Sequence, residues 1–371
     1  MKLTLRIVCL GSLLITLQHN ISFGQIKTLN GKKISKSAMD EFLQKKIDSL
    51  HIPSISIAFF NHGKIVYQKA FGYADMEDHK KATTTTIYEA ASTSKIVFGY
   101  FVMRMVDKGV LALDTPLYKY FPYPEIAYDD RYKLFTARMV LSHTTGLPNW
   151  HDYQPAPDSL HVPKGAQYIL FQPGTRWNYS GEGFQYLVRV IAHLLHTDEI
   201  GLAKIADKDI TEALGLKHAT FGWTDYIKDN RATGYFWQQD SVKFQRGVLK
   251  KFEELSAAGG FRTDAGDYAR FLFGITNGRG LTPSSFHELL SYQSVVTDPG
   301  TARDAGAHWG LGVAIKDTPN GIRYWHNGSN GDFTSEFEIY KDSKSGFAYF
   351  TNSNTGLDLY NLLDQYFREG R

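Results

Sequence analysis

The chain has 371 residues, a formal net charge of +3 and one cysteine, Cys9, and 21% of its residues are charged. A charge this close to balance gives no basic field for nucleic acid, and one thiol excludes a disulfide framework. The length allows two cores or one large domain.

The N-terminal segment 1–24 has the layout of a secretory signal peptide. Lys2 and Arg6 precede an apolar run, 7–17, that is too short to span a bilayer permanently. The alternative is a membrane anchor. Removal of the segment takes Cys9 and two positive charges with it, so the mature chain carries +1 and no thiol for catalysis or metal binding. We therefore expect an exported protein, periplasmic or extracellular, with no stable membrane span after cleavage.

The first elements of the mature chain are predicted to be a helix and a hairpin. Residues 37–51 form an amphipathic pattern that opens with a Ser-x-x-Asp cap. Residues 54–60 and 65–71 are β-rich runs, and the Asn61-His62-Gly63-Lys64 stretch between them favours a turn.

The rest of the chain divides into a helical middle and a strand-rich end. The predicted middle helices span 92–108, 136–141, 183–195, 202–214 and 263–274. The predicted late strands and the final helix span 309–316, 322–326, 333–340, 346–351 and 357–367.

Strands at both ends predict an α+β fold with one antiparallel sheet built from both termini and flanked by helices. The sheet part would cover about 37–90 and 300–371, and a mainly helical inserted subdomain about 91–280. Together they form one domain, 25–371. A cleft between the two parts is the default place for a site.

Ser92 and Lys95 open the first middle helix with the spacing Ser-x-x-Lys. Residues three apart on a helix lie on one face, so the lysine nitrogen can reach the serine hydroxyl. A serine with a neighbouring base can act as a nucleophile without a histidine. One such pattern is expected by chance in a chain of this length, so further residues must support it.

Two further clusters supply that support. Tyr179, in the loop 173–181, can move a proton if a nearby cation lowers its pKa from about 10. The run 325–329 ends a strand, where Gly328 lets backbone amides approach a substrate and form an oxyanion hole with the amide of Ser92. The alternatives are a core tyrosine at 179 and a sheet-face histidine at 326.

These motifs make the chain resemble the serine β-lactamase and penicillin-binding-protein superfamily. The resemblance is strongest to its class C-like branch, which includes D,D-peptidases, D-aminopeptidases and family VIII esterases. Further segments that carry it are 108–116, 120–122, 141–148, 171–180, 257–261 and 309–312.

The resemblance implies a role for each motif residue. Ser92 would be the nucleophile and Lys95 the amine that accepts or relays its proton, although the identity of the acylation base is disputed for this superfamily. Burial must lower the pKa of Lys95, because at about 10.4 it would be a poor base. Tyr179 would hydrogen-bond the nucleophile and pass a proton to the leaving group. The third motif would be His326-Asn327-Gly328, with Ser329 donating the second oxyanion N–H.

Two departures from the family pattern affect substrate choice. Gly181 stands where class C enzymes commonly have asparagine, so no side-chain amide is present to hold an acylamino carbonyl. His326 stands where many members have lysine, which weakens attraction for a carboxylate above about pH 6.5.

The sequence therefore predicts a serine hydrolase acting through an acyl-enzyme on esters, small amides or D-amino-acid peptides, and not efficiently on β-lactams. The alternatives are a penicillin-recognising sensor that acylates without turnover, a true class C-type β-lactamase, and an inactive scaffold. The partner is a small-molecule or peptide substrate, and the oligomeric state is open.

Several other residues allow two interpretations. Glu182 would lie on the solvent face at a helix start, with pairing to a substrate amine as the alternative. Trp150, Trp177, Trp223 and Trp237 could wall an apolar acyl pocket or simply pack. His143 is predicted to brace a loop. No sequence pattern for a metal site is present, so no metal or other cofactor is predicted.

Overall fold

The computed structural model describes residues 25–297 and 304–370. The predicted signal peptide 1–24, with Cys9, lies outside the described residues, so its prediction stays untested. Within the described ranges, no helix combines the length and the apolarity that crossing a membrane requires.

The strands are distributed over both halves of the chain. The described ranges contain fifteen of them, which are, in chain order, β1 (Ile26–Lys27), β2 (Lys33–Ile34), β3 (Ser54–Asn61), β4 (Lys64–Asp75), β5 (Lys80–Lys81), β6 (Tyr88–Glu89), β7 (Tyr235–Gln238), β8 (Lys243–Arg246), β9 (Arg262–Thr263), β10 (Ser294–Val295), β11 (His308–Trp309), β12 (Ala314–Thr318), β13 (Gly321–Ser329), β14 (Thr334–Tyr340) and β15 (Ser345–Thr351).

Nine of these strands form one antiparallel sheet in the order β10-β11-β12-β13-β14-β15-β3-β4-β5. The early and late strands join where β15 pairs with β3, with Ala348 opposite Ala58. The α+β fold with a sheet drawn from both termini is therefore confirmed. The division into a sheet part and an inserted helical subdomain stays a prediction.

The first hairpin has the turn that its sequence favours. β3 pairs with β4, and Asn61 lies opposite Lys64. His62 and Gly63, the two residues between them, have φ values of 52° and 70°. Two consecutive positive φ angles suit the right-handed twist of paired strands, which explains why a histidine and a glycine close this loop.

Six of the nine helices in the described ranges begin at polar residues whose side chains accept hydrogen bonds from free backbone N–H groups. Thr136 caps α3, Asp198 caps α5 and Asp264 caps α7 in this way. Within the described part of the chain the helices are α1 (Lys36–Ser49), α2 (Ser94–Asp107), α3 (Ala137–Leu141), α4 (Glu182–Leu194), α5 (Glu199–Leu214), α6 (Asp225–Asn230), α7 (Ala265–Thr276), α8 (Pro283–Leu289) and α9 (Leu359–Glu369).

The central strands are buried on both faces, because helices cover the sheet on each side. In β3, Ile57 and Phe59 pack with α1 and α9, whereas Ala58 and Phe60 join the core that contains α2 and α7. This alternation is the two-residue period of a strand. The larger core therefore lies on the face that carries α2, the helix that Ser92 precedes.

Two of the wrongly predicted boundaries, the start of α1 and the strand 309–316, have clear physical reasons. The cap of α1 is Ser35, whose hydroxyl accepts from the Ala38 N–H. Ser37 does not cap the helix, and Asp40 instead accepts from Lys69 at 2.5 Å and from Tyr67 at 2.6 Å.

The predicted strand 309–316 is two strands, β11 and β12, which pair with each other. Gly312, between them, has a φ of 95°, which interrupts an extended strand. The interruption lets the backbone turn toward α2. A Cβ at Gly312 would lie 2.6 Å from the carbonyl oxygen of Lys95.

Because Gly312 lies so close to the Lys95 carbonyl, a larger residue at this position should destabilise the protein. We expect Gly312→Ala to lower the free energy of unfolding by about 3 kcal/mol or more. The cost of a left-handed backbone at alanine and the cost of the clash with the Lys95 carbonyl add together. Gly109→Ala is the control, because Gly109 has a φ of 70° but nothing within 4 Å of a Cβ. The control should cost about 1 kcal/mol in urea unfolding. Equal losses would show that the contact with α2 is not limiting.

Candidate active site

Ser92 lies in a 3-10 turn, Ala91–Thr93, that leads directly into α2. Ala91 has a φ of 46°, a left-handed conformation that costs energy in a residue with a Cβ. The hydroxyl of Ser94 donates to the Ala91 carbonyl at 2.6 Å and holds the turn. Ser92 is half-buried while its neighbours are buried, so the turn presents this one hydroxyl.

Lys95 reaches Ser92 from one turn further along, as its spacing predicts. Its Nζ donates to Ser92 Oγ at 3.3 Å and to the Ala258 carbonyl at 2.8 Å. Burial lowers the pKa of Lys95 to about 7. The uncharged amine, which is the form that accepts a proton, is therefore accessible at neutral pH.

Tyr179 completes a three-residue cluster with these groups. The Lys95 Nζ lies 4.7 Å from the centroid of the Tyr179 ring. Burial raises the pKa of Tyr179, and a hydrogen bond with Ser92 offsets only part of that rise. From the sequence, proton transfer by Tyr179 is expected to need a neighbouring cation that lowers the pKa of the phenol. The pKa is raised instead, so this condition is not met. In the free protein Tyr179 is a neutral phenol that can donate a hydrogen bond, and Lys95 is the better base.

The third motif occupies the end of β13, beside the Ser92 turn. β12 pairs with β13 only as far as Trp325, so the residues that follow have an edge that β12 does not cover. A Cβ at Gly328 would lie 2.6 Å from the Ser92 amide nitrogen and 2.8 Å from the Ala90 carbonyl oxygen. A glycine is therefore needed for this strand to approach the turn. It brings the segments that carry the amides of Ser92 and Ser329 together.

His326 is buried among aromatic rings. Its ring centroid lies 5.3 Å from that of Trp309 and 6.0 Å from that of Tyr179. Its Nδ1 lies 2.5 Å from the Asn327 carbonyl oxygen, so this nitrogen carries a proton and donates. The residue thus contributes to the wall of the site as well as to the strand.

Gly181 faces an aromatic ring where a side chain would otherwise be. A Cβ at Gly181 would lie 2.4 Å from Cζ2 of Trp150. The Gly181 N–H donates to the Asn149 side-chain oxygen at 2.9 Å, which fixes the loop that carries Trp150. The space for an amide side chain at position 181 is therefore occupied.

His143 braces the Tyr179 loop, in agreement with its predicted role. Its Nδ1 accepts from the Ser180 N–H at 3.0 Å, and its ring centroid lies 4.4 Å from that of Tyr179. Burial, followed by the charges of Lys95 and His326, holds the pKa of His143 well below its usual value. A histidine kept neutral in this way positions Tyr179 and is no base for Ser92.

Glu182 does not lie on the solvent face. Its Oε1 accepts from the His151 backbone N–H at 3.1 Å and lies 2.6 Å from His151 Nδ1. The carboxylate thus fastens the loop after Trp150 to the start of α4. This contact also gives no support to pairing with a substrate amine.

A small aromatic pocket of about 100 Å³ adjoins the cluster and includes Tyr179, His326 and Asn327 in its wall. Trp177, Trp309 and Trp325 form much of the rest. Of the tryptophans proposed from sequence, Trp177 lines this pocket. Trp237 stacks on His51 at 3.8 Å, and Trp223 lies under the guanidinium of Arg262.

Other contacts could not be identified as functional from the sequence. The Ala258 carbonyl lies in the 257–261 segment, which carries part of the family resemblance but none of the motif residues. Trp325 opens the 325–329 run, but its place in the pocket wall does not follow from that position.

Among the described residues, one cluster has donor atoms close enough for a metal. Side-chain donors of His218, Asp264 and Asp267 lie within 4.8 Å of one another. Asp264 Oδ1 already accepts from the Gly266 and Asp267 N–H groups, and Asp267 Oδ2 from the Lys217 and His218 N–H groups. Capping of α7 by Asp264, and the hydrogen bonds of Asp267 to the 217–218 backbone, account for the two carboxylates.

Curated relatives resemble parts of the chain. The chain is 27% identical to Protein flp of Staphylococcus aureus (strain MW2) over 209 residues, which cover 54% of this chain and 41% of that protein. It is 31% identical to Esterase EstB of Burkholderia gladioli over 139 residues, 32% of this chain and 35% of that protein. The chain thus spans less than half the length of these relatives.

Solved structures resemble most of the fold. EstCE1, described as a hydrolase with promiscuous acyltransferase activity, superposes with a TM-score of 0.72 at 20% identity. The match covers 89% of this chain and 97% of that one. The model of the Beta-lactamase family matches residues 39–367. With this span covering the sheet, the helices and the Ser92–Lys95–Tyr179 cluster, the chain belongs to the Beta-lactamase family.

Proposed function

We propose that this protein is an exported serine hydrolase that forms an acyl-enzyme on Ser92. Its substrates would be esters, small amides or D-amino-acid peptides, and β-lactams would be poor substrates. The observation that carries the proposal is the Lys95 Nζ, 3.3 Å from Ser92 Oγ, with a pKa lowered to about 7 by burial.

The acylation step uses the cluster as follows. The neutral Lys95 amine accepts the Ser92 proton while Oγ bonds to the substrate carbonyl carbon and the carbonyl π electrons move to oxygen. The amides of Ser92 and Ser329 stabilise that oxyanion. When the carbon–leaving group bond breaks, Tyr179 gives its proton to the leaving group and recovers one from the Lys95 ammonium. Water then attacks the ester on Ser92 and releases the acid.

Two features support the substrate class. The Trp150 ring fills the space beside Gly181, so no side-chain amide is available there for an acylamino carbonyl. The pocket beside Tyr179 is small and largely aromatic, which suits a short apolar group.

Intact mass spectrometry tests the central step. The mature protein is mixed with a short aryl ester, a D-amino-acid amide and a penicillin, and its mass is followed with time. We expect a transient adduct on Ser92 with product accumulating from the ester or the amide, and no adduct in Ser92→Ala, whose kcat should fall by about 10⁴-fold or more. The intact mass of the full-length chain after expression with its own N-terminus shows whether 1–24 is removed.

The other outcomes of this experiment identify the alternatives. A permanent penicillin adduct without product would indicate a sensor. Fast penicillin turnover would indicate a true β-lactamase. An adduct that persists in Ser92→Ala would contradict the assignment of the nucleophile.

The pKa of Lys95 predicts both activity and stability. We expect kcat/KM for the ester to rise with pH through about 7, because the lysine must lose its proton. Lys95→Met should lower kcat/KM by about 10³-fold or more. Because the folded pKa lies below the unfolded value, wild-type stability should rise from about pH 7 to about pH 10, where only the unfolded chain holds the extra proton.

Lys95→Met removes this dependence, so its unfolding free energy should vary less over the same range. It should exceed that of the wild type at pH 7 by on the order of 2 kcal/mol. Urea unfolding at pH 7 and pH 9 measures both. A variant less stable than the wild type at pH 7 would contradict a desolvated lysine.

Tyr179→Phe separates leaving-group protonation from nucleophile activation. A phenol that donates to the leaving group matters most for a poor one, so we expect a loss of about 10²–10⁴-fold for an alkyl acetate and a much smaller loss for 4-nitrophenyl acetate. Steady-state kinetics with both esters measures the ratio. Equal losses would assign Tyr179 to positioning Ser92 alone.

A further inference from the structure

A second, polar cavity of about 90 Å³ lies beside the segments that form the proposed oxyanion hole. Its wall includes Glu89, three residues before Ser92, and Asp332, three residues after Ser329. The Nδ2 of Asn330 donates to Glu89 Oε2 at 2.6 Å and so links the two segments. The cavity does not include Ser92, Lys95 or Tyr179 among its lining residues.

The two acids of the cavity lack cationic partners at ion-pair distance in the described ranges. Asp332 is 5% exposed, and the hydrogen bond that lowers the pKa of its carboxyl comes from its own backbone N–H. Burial raises the pKa of Asp332 and that of Glu89. Gly234 and Gly247 leave room for the Asp332 carboxylate, since a Cβ at either would lie 2.3 Å or less from its Oδ2.

Two cations of the cavity likewise lack an acidic partner within 4 Å among the residues that the structure describes. The Arg231 guanidinium donates to the Ala232 carbonyl at 3.2 Å, and the Lys250 Nζ donates to the Asn330 carbonyl at 3.4 Å. Burial lowers the pKa of Arg231, whose charge interacts favourably with that of Glu89. Arg246, the remaining cation of the wall, already pairs with Asp75 and Glu77.

Charges of both signs thus face one small cavity without neutralising each other directly. Asp332 is buried, Glu89 and Arg231 are half-buried and Lys250 is exposed, so a missing partner costs most at Asp332. The gap between the acids and the cations leaves room for a molecule that carries both charges. A cavity of this volume holds more than one water molecule, and it is small enough to admit only a very small organic ligand.

We propose that this cavity binds a small free α-amino acid as a zwitterion. The ligand carboxylate would contact Arg231 and Lys250, and its ammonium would contact Asp332 and Glu89. Each ligand group would then supply the counter-charge that the protein side chains lack. The site is separate from the serine chemistry, and the inference does not depend on the proposed hydrolase activity.

Isothermal titration calorimetry of the mature protein at pH 7 tests the proposal with glycine and both enantiomers of alanine. Sodium acetate and methylammonium chloride, which carry one half of the zwitterion each, are the matched ligands. We expect saturable binding of at least one amino acid, and at least 10-fold weaker binding of each half. Acetate that binds as tightly as the amino acid would overturn the zwitterion, and no saturable heat from any amino acid would show a cavity for water only.

Variants locate the site. Arg231→Gln and Asp332→Asn should each weaken amino-acid binding by 10-fold or more. Lys250 is exposed, so Lys250→Gln disturbs the fold least, and it should weaken binding by about 3-fold or more. Lys251→Gln is the control, because Lys251 pairs with Glu253 and is not in the wall of the cavity. Thermal melting verifies that each variant is folded. Unchanged binding in folded Lys250→Gln and Arg231→Gln would overturn the assignment.

Discussion

The close approach of β13 to the Ser92 turn is the constraint on which the rest of the site depends. Gly328 has no side chain, and its backbone lies against the amide of Ser92 and the carbonyl of Ala90. That contact is possible because the sheet joins early and late strands, which carries β13 to the start of α2. Ser335 on β14 adds a hydrogen bond of 2.5 Å to the same Ala90 carbonyl. Ser92, the proposed nucleophile, is therefore held by the sheet as well as by its own helix.

The second approach, of Gly312 to α2, acts on the same helix from another side. Gly312 lies against the backbone carbonyl of Lys95. The side-chain Nζ of Lys95 donates a hydrogen bond to the Ala258 carbonyl. Lys95 is thereby enclosed by backbone and by the rings of Tyr179 and Phe184. Since no carboxylate in the described ranges forms an ion pair with it, burial dominates and the pKa falls. The close packing around Lys95 therefore both stabilises the fold and lowers the pKa of the amine.

Local patterns in the sequence were enough to predict the main elements and the contact between Ser92 and Lys95. That contact depends only on helical spacing, which any Ser-x-x-Lys on a helix shares. The helix of 199–214 was predicted to begin three residues late, because its first turn has a weak apolar pattern although Asp198 is a good cap. The break at Gly312 could not be foreseen, since a left-handed φ there follows from packing against α2.

Contacts between distant parts of the chain were the least predictable features. The acceptor for Lys95 lies 163 residues away, and nothing local in the 257–261 segment marks its carbonyl. Glu182 has the sequence of an exposed helix start, yet a loop 31 residues earlier folds over it and supplies His151. The pKa of Tyr179 depends on the same long-range burial. Sequence spacing can place a side chain on a face, but it does not say what covers that face.

The electrostatics of Lys95 also bear on which substrates suit the proposed chemistry. A substrate carboxylate bound near the lysine would favour its charged form and raise its pKa, which would reduce the amine available as a base. A lysine in the third motif could neutralise that carboxylate, but His326 is buried there among the rings of Tyr179 and Trp309. A neutral ester adds no negative charge that would raise the pKa of Lys95, and it needs no such compensation. The same burial that makes Lys95 a base therefore disfavours anionic substrates, which is an argument for neutral esters and amides that is independent of the missing amide at Gly181.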